Sequence, residues 1–403
     1  MKILQINSTL NWGSTGRIAE EIGNTIKANL GDSYIAYGRY HNKSSSKEIH
    51  IGSKWNIVTH VLQARFLDRH GLGSKNATKK FLNKVDGINP DIIHLHNIHG
   101  YYLNYELLFE YLSKANIPII WTLHDCWAFT GHCAYYSFYG CEKWKTFCYE
   151  CALKKTYPSS LLMDSSTKNF LDKKRLFTLP KKMILVPVSV WLAKEVAKSF
   201  LGKKYEIQVI HNGIDINVFS PTEVKTNTLN LDGKKIILGV ANIWDERKGL
   251  KDFVKLRELL SDDYIIMLIG LSKKQCASLP KGIIGIERTN NIQELAGYYS
   301  IAEVFVNPTW EDNFPTTNLE ALACGTPVIT YRTGGSPEAV SCETGFVVKQ
   351  GDFNAVISAI NEIRMKGKPY YFQACRERAI QNFNKFDRYQ EYIDLYKKVL
   401  NIK

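Results

Sequence analysis

The sequence predicts an α/β fold with two doubly wound domains, each built on a parallel sheet with helices on both faces. Short apolar runs rich in β-branched residues recur to about residue 385, and a longer segment with helical spacing follows each of them. With 403 residues, the chain exceeds what one compact core usually holds. Because a polar stretch divides the runs into two similar groups, we expect two domains that face each other across a cleft.

Eight apolar runs are predicted to be buried strands, four in each domain. In the first domain they are residues 3–6, 92–95, 117–123 and 184–188. In the second domain they are residues 236–240, 264–269, 303–307 and 326–330. Ligands of open α/β sheets bind outside the carboxyl ends of the strands, so we expect the functional residues in the loops that follow these strands.

The domain boundaries follow from a linker and from the last helix. The segment around Pro221, polar up to Asp232, suits a linker, which gives a first domain at residues 1–215 and a second at residues 216–385. Residues 386–403 space their apolar positions as one helical stripe, and no strand follows them. That stripe needs a surface to cover, and the first domain is the candidate.

The chain is basic, and the excess charge lies in its first half. Lys and Arg total 52 against 39 Asp and Glu, and residues 1–215 hold 28 of the basic and 17 of the acidic side chains. This asymmetry suggests an anionic partner, either a membrane surface or a polyanion, although a lysine-rich host composition would give the same excess. Residues 168–182 mix apolar and basic side chains at helical spacing, which fits a helix on an anionic bilayer or a solvated face over a core stripe.

The start of the chain and its cysteines bear on the compartment. The first residues become polar too soon for a signal peptide, and no apolar run reaches the roughly eighteen residues that span a bilayer. We therefore expect a cytoplasmic protein, attached peripherally to the inner face of the membrane if the basic half binds lipid. In that reducing compartment the nine cysteines are expected as thiols or metal ligands.

The most informative stretch runs from residue 307 to residue 329. A strand ends near Asn307, an acidic loop follows, and Pro315 opens a helix that Gly325 closes. Asp312 in the loop and Glu320 in the helix can face one crevice, where carboxylates accept hydrogen bonds from sugar hydroxyls and the amides at the helix start suit phosphate oxygens. Taken singly, the first acid could also be an exposed loop residue and the second a partner of the helix dipole.

These residues resemble the signature of the family-four retaining glycosyltransferases, the glycosyl transferases group 1, which have the GT-B fold. The signature is an acid, seven residues and a glutamate, and here it stands as Asp312, Phe314 and residues 320–328, with Asp where Glu is commoner. The resemblance implies two Rossmann-like domains, the first for the acceptor and the second for the nucleotide sugar. It also implies that Glu320 holds the ribose and that either Glu311 or Asp312 meets the transferred sugar.

The same resemblance covers positions outside this signature. His124, at a strand end, is similar to the family histidine that contacts the donor sugar and is required for transfer, although a lone histidine there is otherwise structural. Lys248, followed by Gly249, matches the family lysine on the diphosphate. Asn242 stands where the family has Arg, so Arg247 either supplies that charge from a neighbouring position or is a solvated arginine at a helix start.

Three sets of site residues follow from the resemblance. The implied catalytic residues are His124, Lys248, Asp312 and Glu320. The implied donor contacts, which include a nucleobase loop at residues 286–291, are Arg247, Lys248, Arg288, Glu311, Asp312, Asn313, Phe314, Thr316, Thr317 and Glu320. The implied loop for diphosphate and acceptor, where glycines let amides approach an anion, comprises Gly13, Ser14, Thr15 and Gly16, with His99 nearby.

The predicted reaction is transfer of a hexose from a UDP- or GDP-sugar to a saccharide acceptor, often lipid-linked, in surface polysaccharide biosynthesis. The family retains the anomeric configuration by same-face attack, through an oxocarbenium-like transition state. The sequence contains no Asp-x-Asp, which argues against a metal-dependent transferase. Fixed donors such as Lys248 would then stabilise the departing phosphates, and no cofactor is expected for catalysis.

Two other functions fit a basic α/β chain less well. A non-catalytic, zinc-stapled nucleic-acid-binding protein would use the positive charge, but the aromatic residues form no recognisable stacking motif and the sequence has no dense arginine stripe. A nicotinamide dehydrogenase needs Gly-x-Gly-x-x-Gly after its first strand, and that motif is missing. We therefore expect no nucleic acid partner and no nicotinamide.

Four cysteines fall in a window rich in aromatic residues. They are Cys133, Cys141, Cys148 and Cys151. The final Cys-x2-Cys has the spacing of a structural zinc site, and four thiolates would complete a tetrahedron, but the first pair is spaced more widely than in the usual zinc knuckle. Structural zinc and inert thiols are both consistent with this pattern.

Three histidines cluster at another strand end. Alternation along the strand points His94 and His96 to the same face, whereas His99 lies beyond the strand. A structural role or a contact with the acceptor is favoured over metal ligation, because histidines at such positions are usually satisfied by hydrogen bonds. The family often has a similar His-rich strand end.

Overall fold

The computed structural model describes residues 1–223 and 233–402, which form two compact units. The first unit comprises Met1–His211 and the stretch from Arg388 onward, and the second comprises Asn212–Asp387. The division therefore falls four residues before the boundary predicted at 215. The part of the predicted linker at residues 224–232 lies outside the described residues.

The described part of the first unit contains one sheet whose paired strands are all parallel, in the order β3-β2-β1-β4-β5-β6-β7. Its strands are β1 (Lys2–Ile6), β2 (Asp32–Tyr37), β3 (Lys47–His50), β4 (Ile92–Leu95), β5 (Ile119–Leu123), β6 (Met183–Pro187) and β7 (Glu206–Ile207). The helices between them are α1 (Gly13–Asn29), α2 (Lys54–Leu67), α3 (Lys75–Ile88), α4 (Tyr105–Lys114), α5 (Ser166–Phe177) and α6 (Val190–Lys198).

The described part of the second unit contains a smaller parallel sheet in the order β10-β9-β8-β11-β12-β13. Its strands are β8 (Lys235–Val240), β9 (Tyr264–Ile269), β10 (Ile283–Ile286), β11 (Val304–Asn307), β12 (Val328–Tyr331) and β13 (Gly345–Val348). Its helices are α7 (Leu250–Leu259), α8 (Lys273–Ala277), α9 (Ile292–Ile301), α10 (Thr316–Ala323), α11 (Phe353–Lys366) and α12 (Lys368–Phe383). The predicted fold class, two doubly wound α/β sheets, is confirmed.

The central strands form because helices cover both faces of each sheet. Every residue of β5 and β9 is buried, and their sequences are nearly continuous apolar runs rather than alternating ones. That composition is typical of parallel strands, in which neither face meets water. The loops at the strand ends are consequently the places where polar side chains can gather.

Each sheet has one point where the strand order reverses. In the first sheet the chain leaves β1 toward β2 and later returns to the other side of β1 with β4; in the second sheet β8 and β11 have the same relation. Loops that follow such a strand pair diverge, and the crevice between them is the usual ligand site of an open α/β sheet. The topology therefore predicts ligand sites in the loops after β1, β4, β8 and β11.

The last helix, α13 (Lys385–Leu400), returns the chain to the first unit. Its buried residues share one core cluster with α1, β1, β4 and β5, and they are Tyr389, Tyr392, Ile393, Leu395 and Tyr396. Polar contacts add to this packing: the Tyr396 hydroxyl lies 2.7 Å from His94 Nδ1, and the Thr122 hydroxyl donates to the Tyr392 hydroxyl at 3.1 Å. The helix thus covers a face of the first sheet.

Replacing Ile393 by Ala should therefore destabilise the protein. The fully buried side chain would leave a cavity, and such truncations lower the free energy of unfolding by about 2–5 kcal/mol. The exposed neighbour Asp394 offers a matched control, since D394A should change stability by no more than about 0.5 kcal/mol. Urea denaturation followed by circular dichroism measures both; equal midpoints for the two variants would contradict the packing of α13.

Candidate active site

The crevice at the carboxyl edge of the second sheet holds an ion pair between Lys248 and Asp312. Lys248 ends a short 3-10 turn after β8, and Asp312 lies in the loop after β11. The Nζ atom of Lys248 donates to Oδ2 of Asp312, and the two side chains are only 21% and 17% exposed. Two of the predicted site residues thus meet at the reversal point of the sheet.

The charge state of Asp312 follows from its neighbours. Burial alone would raise the pKa of this carboxyl, but Lys248 and Arg247 stabilise its anion, and a backbone hydrogen bond from Phe314 does the same. The pKa of Asp312 is therefore held below its usual value of 3.8. The crevice therefore presents the Asp312 carboxylate throughout the neutral range.

Two glycines allow the loops of the pair to come close. A Cβ on Gly249 would lie 2.3 Å from the carbonyl oxygen of Pro308, and a Cβ on Gly334 would lie 1.8 Å from that of Asp312. Both glycines also have positive φ angles, +77° and +52°, which side-chain-bearing residues rarely adopt. Glycine directly after Lys248 is therefore required for the lysine loop to pack against the acidic loop.

Arg247 fastens the acidic loop through the main chain. Its guanidinium donates to the carbonyl oxygen of Glu311 at 2.7 Å, and its own carbonyl oxygen accepts from the amide of Trp310 at 2.7 Å. Of the two acids considered for the sugar, Glu311 is fully buried, whereas Asp312 reaches Lys248. The structure therefore shows Arg247 holding the loop, which differs from a solvated arginine at a helix start.

Glu320 lies in α10, where the hydroxyl of Tyr299 donates to its Oε2 at 2.8 Å. Burial and the neighbouring carboxylate raise the pKa of Tyr299, so this hydroxyl stays protonated as a donor. The helix begins at Thr316, as predicted, after Pro315, which supplies no side-chain cap to the first amides. The two acids thus have different donors: Glu320 accepts from Tyr299, and Asp312 accepts from Lys248.

The remaining residues predicted to contact the donor range from buried to exposed. Asn313 and Phe314 are buried, and the Phe314 ring packs 5.8 Å from that of Phe383. Thr317 is half-buried in the first turn of α10. Arg288 lies exposed on the loop after the edge strand β10, which β9 separates from β8.

A buried polar network that the sequence analysis missed positions the start of α10. Asn307 donates to Asn318 Oδ1 at 2.8 Å, Asn318 donates to Ser336 Oγ at 3.0 Å, and the hydroxyls of Ser336 and Thr330 lie 2.6 Å apart. The network joins the ends of β11 and β12 to the helix. Its signal in the sequence is an amide residue, Asn318, directly before the apolar residues of the helix.

The reversal point of the first sheet holds the predicted glycine loop. Helix α1 begins at Gly13, so that Ser14, Thr15 and Gly16 form its first turn. The loops after β1 and β4 are tied together, since the backbone amide of Asn97 donates to Asn7 Oδ1 at 3.3 Å. The glycine loop therefore lies at the start of α1, beside the loop that follows β4.

The histidines at this edge are largely satisfied within the unit. His94 bonds Thr122 and the last helix, and His99 bonds Asp125 Oδ2 at 2.8 Å and the Tyr157 hydroxyl at 2.9 Å. His96 Nδ1 lies 3.1 Å from His124 Nε2, with the two rings stacked. His94 and His99 therefore both have hydrogen-bond partners within the first unit.

The basic segment at residues 168–182 differs from a uniformly solvated or membrane-facing helix. Lys173 of α5 is buried, and its ammonium donates to the carbonyl oxygens of Trp127 at 2.7 Å and Thr130 at 3.0 Å. It also lies 3.6 Å from the centroid of the Trp127 ring. Neither alternative considered for this basic segment buries a lysine, whereas the long loop before α5 folds over Lys173.

Two doubly wound parallel sheets, with a ligand crevice at the reversal point of the second, are the architecture of the GT-B fold. Sucrose-phosphate synthase from Thermosynechococcus elongatus superimposes with a TM-score of 0.73 at 17% identity, covering 99% of each chain. HepE of Anabaena in complex with UDP-glucose superimposes with a TM-score of 0.66 at 13% identity, covering 99% of this chain and all of that one. These likenesses establish the fold.

Two family models match successive parts of the chain. A family model described as Glycosyltransferase Family 4 matches residues 35–218, and one described as Glycosyl transferases group 1 matches residues 234–365. The putative colanic acid biosynthesis glycosyl transferase WcaC of Escherichia coli K12 is 23% identical over 423 residues, covering 99% of this chain and all of that protein. The chain therefore belongs to glycosyltransferase family four and is a transferase, and the alternative of a non-catalytic nucleic-acid-binding protein is set aside.

Buried histidines should make the stability of the first unit depend on pH. Burial lowers the pKa of His60 and His124 to about 4 and that of His94 to about 3, whereas an unfolded histidine titrates near 6.5. Below about pH 6.5 the unfolded chain binds protons that the folded chain does not. As the pH is lowered below 6.5, the free energy of unfolding should therefore decrease, by up to about 1.4 kcal/mol per pH unit for each histidine.

Urea midpoints at pH 7.5, 6 and 5 would measure this dependence. H124N should flatten the dependence between pH 6.5 and about 4, because it removes one of the groups that only the unfolded chain protonates. H50N, which changes an exposed histidine, is the control and should keep the wild-type slope. A wild-type midpoint that stays constant from pH 7.5 to pH 5 would show that these histidines are not held neutral by burial.

Proposed function

We propose that this protein transfers a hexose from a UDP- or GDP-sugar to a saccharide acceptor in surface polysaccharide biosynthesis, with retention of anomeric configuration and without a divalent ion in the chemistry. The observation that carries the proposal is the Lys248–Asp312 pair at the reversal point of the second sheet. An ammonium and a carboxylate side by side suit a ligand that has phosphates next to hydroxyls. A nucleoside diphosphate sugar is such a ligand.

The lysine acts on the leaving group. When the bond from the sugar to the diphosphate breaks, negative charge grows on the departing phosphate, and a preorganised cation in a partly buried site stabilises it. The Asp245 side chain holds the backbone of Lys248 in place, since the Lys248 amide donates to Asp245 Oδ1 at 3.0 Å. The backbone amides at the start of α10 add further donors of fixed position.

The acids act on the sugars. Asp312 is an anion because Lys248 and Arg247 depress its pKa, so it accepts hydrogen bonds from hydroxyls of the transferred hexose. Glu320 accepts one hydrogen bond from Tyr299 and, as a carboxylate, can accept others from the ribose. In this assignment, which follows the family pattern, Asp312 binds the hexose and Glu320 binds the ribose.

His124 contributes as a neutral ring. Burial lowers its pKa to about 4, so at neutral pH it can orient or polarise a hydroxyl through a hydrogen bond but does not supply a cation. In this mechanism a phosphate oxygen of the leaving group, rather than His124, takes the acceptor proton. Attack then occurs on the face from which the diphosphate leaves.

The acceptor class is inferred from relatives. WcaC is named for colanic acid biosynthesis, and a Campylobacter jejuni relative, 30% identical over 151 residues, is named as an N-acetylgalactosaminyltransferase acting on a diphospho-undecaprenol-linked sugar. The latter match covers 34% of this chain and 40% of that protein. A lipid-linked saccharide is therefore the acceptor we propose.

A lipid-linked acceptor brings the enzyme to a membrane surface, and α2 offers an apolar face for it. No helix in the described ranges is both long and apolar enough to cross a bilayer. Residues spaced three and four apart along α2 are exposed, and a neighbouring loop adjoins the end of that helix through the hydrogen bond from the Leu161 amide to the Arg65 carbonyl oxygen. The exposed apolar residues are Trp55, Val58, Leu62, Phe66, Leu161, Leu162 and Met163.

Replacing Lys248 by Met should lower nucleotide release from the preferred donor by about a hundredfold or more, the usual effect of removing one charge-stabilising donor. Release is measured across a panel of UDP- and GDP-sugars without added divalent ion, and NMR of the product reads its anomeric configuration. Lys251, exposed and paired with Glu246, gives the matched control K251M, which should keep wild-type turnover.

A double variant separates loss of activity from loss of folding. The K248M/D312N double variant removes both charges of the pair, so it should fold without a buried unpaired anion while remaining inactive. If K248M turns over as fast as K251M, the lysine does not stabilise the leaving group. An inverted product, or turnover only after adding Mg²⁺, would refute retention or metal independence, respectively.

Membrane attachment is tested by flotation with vesicles that contain an anionic lipid. The wild-type protein should float at low salt, and L62E/L162E should stay in the dense fraction, because charges would enter the apolar face of α2 and its loop. M365E/L259E changes exposed apolar residues of the second unit and should float like the wild type. Flotation of L62E/L162E equal to that of the control would rule out this face, and flotation independent of lipid charge would exclude an electrostatic contribution.

A further inference from the structure

The long connection between β5 and α5 contains a cluster of soft ligands that the transfer reaction does not use. Residues 124–165 of the first unit hold only three short 3-10 turns as regular structure among the described residues. Within this segment a cavity of about 70 Å³ is lined by five side chains with sulfur or imidazole groups. They are His132, Cys133, Cys141, Cys148 and Cys151.

The cysteine sulfurs interact with one another and with backbone donors. The Cys133 thiol donates to the sulfur of Cys151, and the amide of Gly131 donates to Cys148 Sγ at 3.2 Å. Hydrogen bonds from backbone amides to sulfur are what metal-bound thiolates receive in their outer shell. The four cysteines, scattered over nineteen sequence positions from 133 to 151, thus gather around one cavity.

His132 adds a nitrogen that lacks a partner. Its ring is 2% exposed, Nδ1 lies 2.5 Å from Asp68 Oδ1, and Nε2 is buried without a hydrogen-bond partner among the residues that the structure describes. Burying such an atom is unfavourable unless something binds it. His132 lines the same cavity as the cysteines, and a carboxylate on one ring nitrogen with the other left free is the arrangement by which proteins orient a metal-binding histidine.

The local charge also favours an anionic metal cluster. Lys173 is fully buried beside this segment, and no carboxylate forms an ion pair with it within the described ranges. Burying an ammonium is costly unless negative charge lies near it, and Asp68 and Asp125 supply part of that charge for Lys173. Zinc held by three or four thiolates carries net negative charge, so a loaded cluster would add to the negative charge around the Lys173 ammonium.

We propose that this cluster is a structural Zn²⁺ site in which the thiolates of Cys133, Cys148 and Cys151 are three of the ligands. The fourth ligand is Cys141, as the sequence spacing indicates, or His132, as its unpartnered nitrogen indicates; both sets are common for structural zinc. No three such side chains in the described ranges are already arranged as metal ligands, so binding draws the sulfurs together. The ion would cross-link a segment too long and irregular to be stable through helices or strands.

The first experiment measures zinc in the full-length protein, purified without chelator and without a histidine tag. We expect about one zinc ion per chain, retained on dialysis and released when an organomercurial modifies the thiols. The C148S/C151S variant should lose the zinc. C276S/C342S, which removes the same number of thiols from the second unit, is the matched control and should keep it.

The ligand set and the folding of the variants need separate measurements. Between C141S and H132Q, the variant with the weaker zinc retention identifies the fourth ligand. If C148S/C151S does not fold, Co²⁺ added to metal-free wild-type protein should give a sulfur-to-cobalt charge-transfer band. Wild-type protein that neither contains zinc nor binds added Zn²⁺ or Co²⁺, or C148S/C151S with as much zinc as the control, would overturn the proposal.

Discussion

The ion pair between Lys248 and Asp312 is the interaction around which the second unit is organised. Two partly buried charges at one strand edge lose much of their hydration, and their mutual attraction does little more than offset that loss. Their value is consequently in ligand binding rather than in stability. A ligand with phosphates and hydroxyls can satisfy the lysine and the acid together, which explains why the surrounding structure holds both in place so firmly.

The positions of Lys248 and Asp312 are fixed by groups that do not contact either charge. Gly249 and Gly334 allow the two loops to approach, and the network from Asn307 through Asn318 to Ser336 fixes the helix start beside them. Because these contacts join the ends of β8, β11 and β12, the reversal of strand order is what makes them possible. The geometry of the site is therefore a property of the whole sheet rather than of the short acidic motif.

The sequence was sufficient for elements with a strong periodic signal and for residues within a recognisable motif. Strands such as β5 and β9 are nearly continuous apolar runs, and the helix after the acidic loop, α10, has both a start signal and a stop signal. Edge strands could not be predicted: β3 contains one buried residue, and β7 consists of two residues. Their pairing is decided by neighbours far away in the sequence, which local patterns do not record.

Residues whose environment is made by tertiary contacts escaped the sequence analysis for the same reason. Lys173 belongs by sequence to a basic helix, yet the irregular loop after β5 folds over it and supplies carbonyl oxygens. His99 fits a substrate contact by position, yet Asp125 and Tyr157 bond both of its nitrogens. In each case the deciding partner comes from residues 124–165, where helical and strand periods are absent.

That irregular segment also explains how one unit can bury so many polar groups. A helix or a strand satisfies its own backbone, whereas an irregular loop has carbonyl and amide groups to spare, and it can direct them at buried side chains. The segment uses its carbonyl oxygens on Lys173 and its amide at Gly131 on a cysteine sulfur. The lack of regular structure in this loop is therefore the condition for the polar interior of the first unit, and it makes that interior depend on whatever fixes the loop.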